Sequence, residues 1–289
     1  MNSLNRQHLV FGVFAVGVAL LNVGSLQALT ELALADSTVS HVIVIPAVTL
    51  ALVYSDRDII FRTHRPSPLI GGAALLAAVT VAVLGRVVPD SPAASLTVMI
   101  ASLVVSWIAG FVMFYGLASA RAALFPLGFL ALMIPMPSAV VDGATEFLKT
   151  GSTEAVASLF TLTGTPFHRQ GFVFSLPSFV IEIADECSGI RSSIALMLTG
   201  VLAGHRFLQR PWTKIALVLL ILPIAVIKNA IRIVTLSLLA MHVDPSFLTG
   251  QLHHEGGFVF FLLTLGLLAP LFALLRWSET SRSSASSAT

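Results

Sequence analysis

Apolar residues run in long stretches broken by short polar turns eight times along the chain, at 9–30, 39–55, 68–88, 95–118, 122–138, 188–205, 213–242 and 257–275. A helix needs about 20 apolar residues to cross the roughly 30 Å hydrocarbon core of a bilayer. The pattern predicts an all-α polytopic membrane protein of about eight transmembrane helices, the second and fifth runs being short for a full crossing. Basic residues fall at alternate ends of the runs: Arg6, then Arg57, Arg62 and Arg65, then Arg121, then Arg206, Arg210 and Lys214, then Arg276 and Arg282. Such an excess marks cytoplasmic ends. Both termini are therefore expected inside, and the loops holding Cys187 and His253 outside.

The first run, with Arg6 ahead of it and Ala33-Leu34-Ala35 behind, imitates a secretory signal with a small-residue cleavage site. Its apolar stretch exceeds the roughly 7–15 residues of such a signal, so it reads as a first span.

Between the fifth and sixth runs the pattern changes. Val141 to Leu162 sets Asp142, Glu146, Lys149 and Glu154 among apolar residues at near-helical spacing, which predicts a helix lying on the outer membrane surface. From Thr165 to Ile183, two β-branched and aromatic runs around Gly171 and Pro177 predict a small β-hairpin. The expected organisation is a five-helix membrane region over 1–138, an extracytoplasmic helix and hairpin over 139–187, a three-helix membrane region over 188–275 that carries the chemistry, and a disordered Ser-rich cytoplasmic tail over 276–289.

Composition agrees with a membrane chain: 56% of residues are hydrophobic and 10% charged, against roughly a quarter charged in soluble domains. The net charge of +2 is explained by topology and gives no footing for nucleic acid; membrane lipid is the expected surrounding partner.

Three polar constellations interrupt this pattern. Cys187, the only cysteine, lies in Asp185-Glu186-Cys187-Ser188-Gly189-Ile190-Arg191, just ahead of the sixth run. A single thiol makes no internal disulfide and no cysteine metal cluster, which leaves inert packing or nucleophilic chemistry. Lys228-Asn229-Ala230-Ile231-Arg232 sits inside the seventh run, where residues three apart share a helix face. A cation there costs a few kcal/mol and is a functional candidate unless it snorkels or pairs. Counting about 1.5 Å per residue from Lys214 puts Arg232 some 27 Å along, near the outer interface. His253-His254-Glu255 stands at the outer entrance of the last run, and imidazoles exchange protons near neutral pH. As a metal site the trio is weak, because consecutive helical residues point about 100° apart. Taken singly, each feature also has a bland reading: a packing thiol, a snorkelling arginine, a solvated helix start. On one outer face, a thiol, a fixed cation and an imidazole are the parts that acyl transfer requires.

The order Cys-Ser-Gly-Ile-Arg-Ser at 187–192, Asn-x-x-Arg at 229–232 and then His253, Gly257 and Phe261 resembles the exosortase/archaeosortase family, over about 165–265. The resemblance implies a membrane cysteine transpeptidase acting on exported proteins that end in a sorting motif such as Pro-Glu-Pro, one transmembrane helix and a basic tail. Cleavage would occur on the outer face of the bacterial inner membrane, in cells that make exopolysaccharide. The new carboxyl end would pass to an amine or lipid acceptor, or to water. The same resemblance implies Cys187 as nucleophile, Arg232 as the family's arginine and His253 as its histidine, with His254 the alternative. Asn229, Ser188, Gly189, Asp185 and Glu186 would support them. A histidine at that place is similar to the bacterial branch, and no cofactor or metal is implied. Two readings from other classes stand beside it: a polytopic transporter, which would show paired halves or broken helices, and an assembly factor for exopolysaccharide export in which Cys187 only packs.

Overall fold

The computed structural model describes residues 3–86, 91–185, 189–248 and 257–286. The chain divides into two compact units, Met1–Ser138 and Ala139–Thr289.

Every regular element among the first unit's described residues is a helix. Helix α1 (Ser3–Leu21) is followed at once by α2 (Val23–Ala35), so the expected first run is two helices. At the junction the Asn22 side-chain amide donates to the Val18 carbonyl at 2.9 Å, offering the backbone a partner that competes with the helix ladder. A 3-10 turn at Ser40–Ile43 leads into α3 (Ile45–Ser55) and the single turn α4 (Arg57–Ile60). Helix α5 (Pro68–Leu84) opens with proline in its first turn, where no amide partner is needed. Helix α6 (Pro92–Ala122) adds a Ser91 cap whose hydroxyl accepts from the Ala94 amide at 3.2 Å. Within α6, Gly116 has φ +87° and interrupts the helix. The Arg65 carbonyl occupies the place a β-carbon would take there, so only glycine fits. The short α7 (Leu124–Leu130) and a 3-10 turn at Ala131–Met133 complete the unit.

The second unit begins with α8 (Ser138–Leu162). Three strands follow where a hairpin was expected: β1 (His168–Gln170), β2 (Val173–Ser175) and β3 (Val180–Glu182), antiparallel in the order β1-β2-β3. Arg169 faces Phe174, and Phe174 faces Ile181. Then come α9 (Ile190–Phe207), α10 (Pro211–His242), a 3-10 turn at Pro245–Leu248 and α11 (Gly257–Ser286).

Two clusters hold this unit together. Phe160 and Val156 of α8, Phe174 of β2, Leu176, Ile183, and Ala230 and Val234 of α10 form the first. Phe160, Phe167 and Phe174 meet with centroids 5.6–5.8 Å apart, the spacing of favourable offset and edge contacts. Leu196, Leu208, Leu217, Ile221, Ile224 and Leu268 form the second, joining α9, α10 and α11. Gly200 and Gly204 of α9 face Ile221 and Leu217 of α10, the small-residue spacing that lets membrane helices approach closely.

Among the described residues, four helices are long and apolar enough to cross a membrane: α1, α6, α10 and Leu262–Thr280 within α11. The count reaches five if the bent pair Leu124–Met133 and Ser138–Leu162 is one span. The expected eight spans are not reached among the described residues. Val23–Ala35, Ile45–Ser55 and Pro68–Leu84 are shorter apolar helices; 11 residues in α3 reach about 16 Å, half the hydrocarbon thickness. The tail beyond Trp277, expected to be disordered, continues α11 to Ser286. Its anchor is Glu279, whose carboxylate accepts from the Gln209 and Arg210 amides at 3.1 and 2.8 Å and from the Thr213 hydroxyl at 2.5 Å. Amides at the free start of α10 are natural partners for a carboxylate.

Candidate active site

Cys187, Glu186 and Ser188, and His253, His254 and Glu255, lie outside the described residues. What is described is the frame on either side of them.

On the upstream side of Cys187, β3 hands the chain to Ile183, which is 2% exposed and donates its amide to the Phe172 carbonyl at 3.0 Å. Asp185 then accepts from the Lys149 ammonium of α8 at 2.8 Å. Lys149 also pairs with Glu146 at 3.3 Å and stands 4.4 Å above the Phe172 ring. The neighbouring pair, Arg169 to Glu154 at 2.8 Å, fastens β1 to α8. Two ion pairs and an aromatic cluster therefore fix the sheet to α8 and α10, and with it the strand that leads to residue 185.

On the downstream side, Gly189 begins α9 in a left-handed conformation, φ +78°. Its carbonyl accepts from the Ser193 amide at 3.0 Å and from the Ser192 and Ser193 hydroxyls at 2.9 Å each. A β-carbon on residue 189 would lie 3.1 Å from Asn229 Oδ1. Glycine is needed twice here, once for the backbone angle and once for the approach to Asn229. Asn229 is 1% exposed, and its amide donates at 3.0 Å to the hydroxyl of Ser152, itself fully buried in α8. One residue back on α10, Lys228 is 3% exposed and donates to the Ser192 hydroxyl. Arg232 follows Asn229 by three residues and Lys228 by four, so it shares a stripe of α10 with each of them while Lys228 and Asn229 point about 100° apart, and Arg232 is half-buried.

The structure thus brings together Asn229, Gly189 and the Arg232 stripe, and ties Asp185 to Lys149. Sequence reasoning gave Ser152, Ser192, Lys149 and Lys228 no part in the site. Lys228 had a visible signal, a charge inside an apolar run. Ser152 had none, since a serine 77 positions from its partner looks like any small residue in a helix.

The frame for the histidines comes from α11. Eleven residues separate Glu279 from Leu268, and eleven separate Arg210 from Ile221. Glu279 bonds Arg210, and Leu268 shares a cluster with Ile221, so α11 runs antiparallel to α10 in matched steps. Eleven residues further, Gly257 at the start of α11 comes level with Arg232, at about 1.5 Å of rise per residue. On the other flank, the 3-10 turn Pro245–Leu248 packs on the end of α10. The Ser246 amide donates to Asp244 at 2.7 Å, holding that carboxyl below its ordinary range. The segment with His253 and His254 is bounded by two described ends, Leu248 of that turn and Gly257 of α11. Among the described residues no three His, Cys, Asp or Glu side chains gather as a metal site.

The chain matches the family profile described as transmembrane exosortase over residues 30–270. No curated protein and no solved structure matches it.

Proposed function

The chain belongs to the transmembrane exosortase family and is a multi-pass membrane protein, and from that premise we propose that it is a cysteine transpeptidase of C-terminal sorting signals, built around Cys187, Arg232 and His253. The observation that supports this best is Gly189 seated against Asn229. Two peptide units separate Cys187 from Gly189, so covalent geometry keeps it within about 7 Å of that contact. Arg232 lies one helical turn from the same asparagine.

The reaction follows from the side chains. The thiolate of Cys187 attacks the scissile carbonyl of an exported protein anchored by its own C-terminal helix. Arg232 donates to the oxygen that gains charge. His253 gives a proton to the departing amine, and the acyl group remains on sulfur as a thioester. An acceptor amine, or water, then loses its proton to the same imidazole as it attacks, and the thiolate leaves. Asn229 keeps the start of α9 and the Arg232 stripe in register, while Asp185 and Lys149 hold the other flank of the thiol. The substrate's motif, extended outside the membrane, would lie along the sheet at 168–182. In this reading the active site works on the extracytoplasmic face of the bacterial inner membrane.

Expression of the protein with a candidate substrate that ends in a motif, one apolar span and an Arg-rich tail tests the reading. Mass spectrometry of the product should show a new carboxyl end near the motif with the wild type, and intact substrate with Cys187→Ala or Arg232→Ala. Unchanged processing in the Cys187→Ala protein would defeat the proposal.

A further inference from the structure

The first unit has an open cleft of about 630 Å³ between α1, α3, α4 and α6, inside the roughly 300–1,000 Å³ range of small-molecule sites. Its walls are apolar: Leu4, Phe11, Leu50, Val53, Phe61 and Phe111. Its polar groups are His8, Tyr54, Arg57, Asp58 and Tyr115. His8 Nδ1 and the buried Tyr115 hydroxyl are hydrogen-bonded at 2.8 Å. The Arg57 guanidinium donates to the Tyr54 carbonyl at 2.9 Å and stands 4.4 Å from the centroid of the Tyr54 ring, held at the mouth yet still half-exposed to what enters.

Further cations lie close to the lining residues along the chain. Arg6 lies two residues before His8, Arg62 follows Phe61, and the Arg65 carbonyl rests on Gly116 beside Tyr115; all three side chains are exposed. With Arg57 these make four cations, set against Asp56 and Asp58. The ion pair between Arg57 and Asp58 is long, at 4.0 Å. An apolar slot with a cationic, aromatic rim at one end of a membrane unit matches an amphiphile with a negative head.

We propose that this cleft is a specific site for one anionic phospholipid, an acyl chain filling the slot along Phe11, Leu50 and Val53 and the phosphodiester bound by Arg57. Charge complementarity selects the acidic class over zwitterionic lipid, because basic pockets between membrane helices favour anionic head groups. The site is separate from the chemistry of Cys187 and stands whether or not the transpeptidase reading holds.

The test uses the full-length protein reconstituted in nanodiscs of equal phosphatidylglycerol and phosphatidylethanolamine, released into detergent and weighed with its retained lipid by native mass spectrometry. The wild type should keep one phospholipid, with phosphatidylglycerol at least fivefold over phosphatidylethanolamine. Arg57→Ala should bring that ratio close to one, and Leu50→Trp, which fills the slot, should remove the retained lipid. Millimolar glycerol phosphate should displace nothing, which separates a lipid site from one for a free phosphate. Melting curves confirm that the variants fold; should Leu50→Trp not fold, Val53→Phe serves instead. Absence of retained lipid in the wild type, retention of both classes equally, or an unchanged complement in Arg57→Ala or in the slot-filling variant would each overturn the proposal.

Discussion

The two units solve the problem of holding helices together with different chemistry. In the first, rings do it: Phe11, Phe61, Phe111 and Tyr115 meet at centroid distances of 4.8–6.1 Å around α1, α4 and α6. The second also has an aromatic cluster, but adds a buried polar layer in which Asn229, Ser152, Lys228 and Ser192 link α8, α9 and α10. Apolar contacts tolerate small shifts, whereas a buried amide with one hydroxyl partner fixes position, since a displaced polar group stays unsatisfied. The difference teaches where precision is needed. The first unit's helices share hydrogen bonds too, through His8 and Tyr115, Ser102 and the Ala78 carbonyl, and Trp107 and the Ala15 carbonyl; the unit with Gly189 and Arg232 differs in bonding a buried amide and a buried ammonium between helices.

The comparison is exposed to test, and the largest effects come first. Phe174→Ala and Phe111→Ala should each cost about 3–5 kcal/mol, as truncation of a buried ring does. Thermal unfolding in detergent reads both. Processing per folded molecule should survive only the Phe111 change. Asn229→Ala strands the buried Ser152 hydroxyl, at about 1–3 kcal/mol, and should lower processing per folded molecule at least tenfold. If activity falls no further than stability, the polar layer is scaffolding alone. Gly189→Ala should cost about 1–2 kcal/mol for the left-handed backbone, with a loss of processing that a second change, Asn229→Ser, partly restores by making room. Tyr115→Phe removes the hydrogen bond to His8 and should cost about 1 kcal/mol with processing unchanged. A drop in processing as large as that of Asn229→Ala would erase the contrast between the units.

The smallest effect concerns Asp244. Its folded-state pKa is lowered by the Ser246 amide, so its contribution is present above the unfolded carboxylate pKa and is lost as pH falls through the folded one. Asp244→Asn should loosen the 245–248 turn at neutral pH, seen as faster limited proteolysis. In acid the variant and the wild type should converge.

Much of the second unit was legible because its signals are local. Gly189 ahead of an apolar run, the Asn229–Arg232 spacing and the β-branched segments after Thr165 all act within a few residues of themselves. The buried partner of Asn229 was not legible, because Ser152 and Asn229 meet only through the packing of α8 on α10, and hydropathy carries no record of which faces pair. The count of eight spans goes unconfirmed for a related reason. Residues 122–138 and 39–55 are apolar enough to suggest crossings, yet the chain turns at Ala131–Met133 and at Ser40–Ile43, and apolarity specifies burial without specifying straightness. The helical tail was hidden because Ser and Thr residues look disordered until one acidic side chain among them finds the start of another helix.

That contact of Glu279 with the first turn of α10 has a practical consequence. It acts as a phase marker: with Glu279 held, the angular setting of everything upstream on α11 is determined by the number of residues between. Inserting one alanine near Leu274 would rotate the chain that leaves Gly257 towards His253 by about 100° relative to Arg232, whereas a seven-residue insertion would nearly restore the angle and lengthen the helix by about 10 Å. The C-terminal helix is thus an index by which the histidine segment can be dialled around the arginine without changing a residue of either.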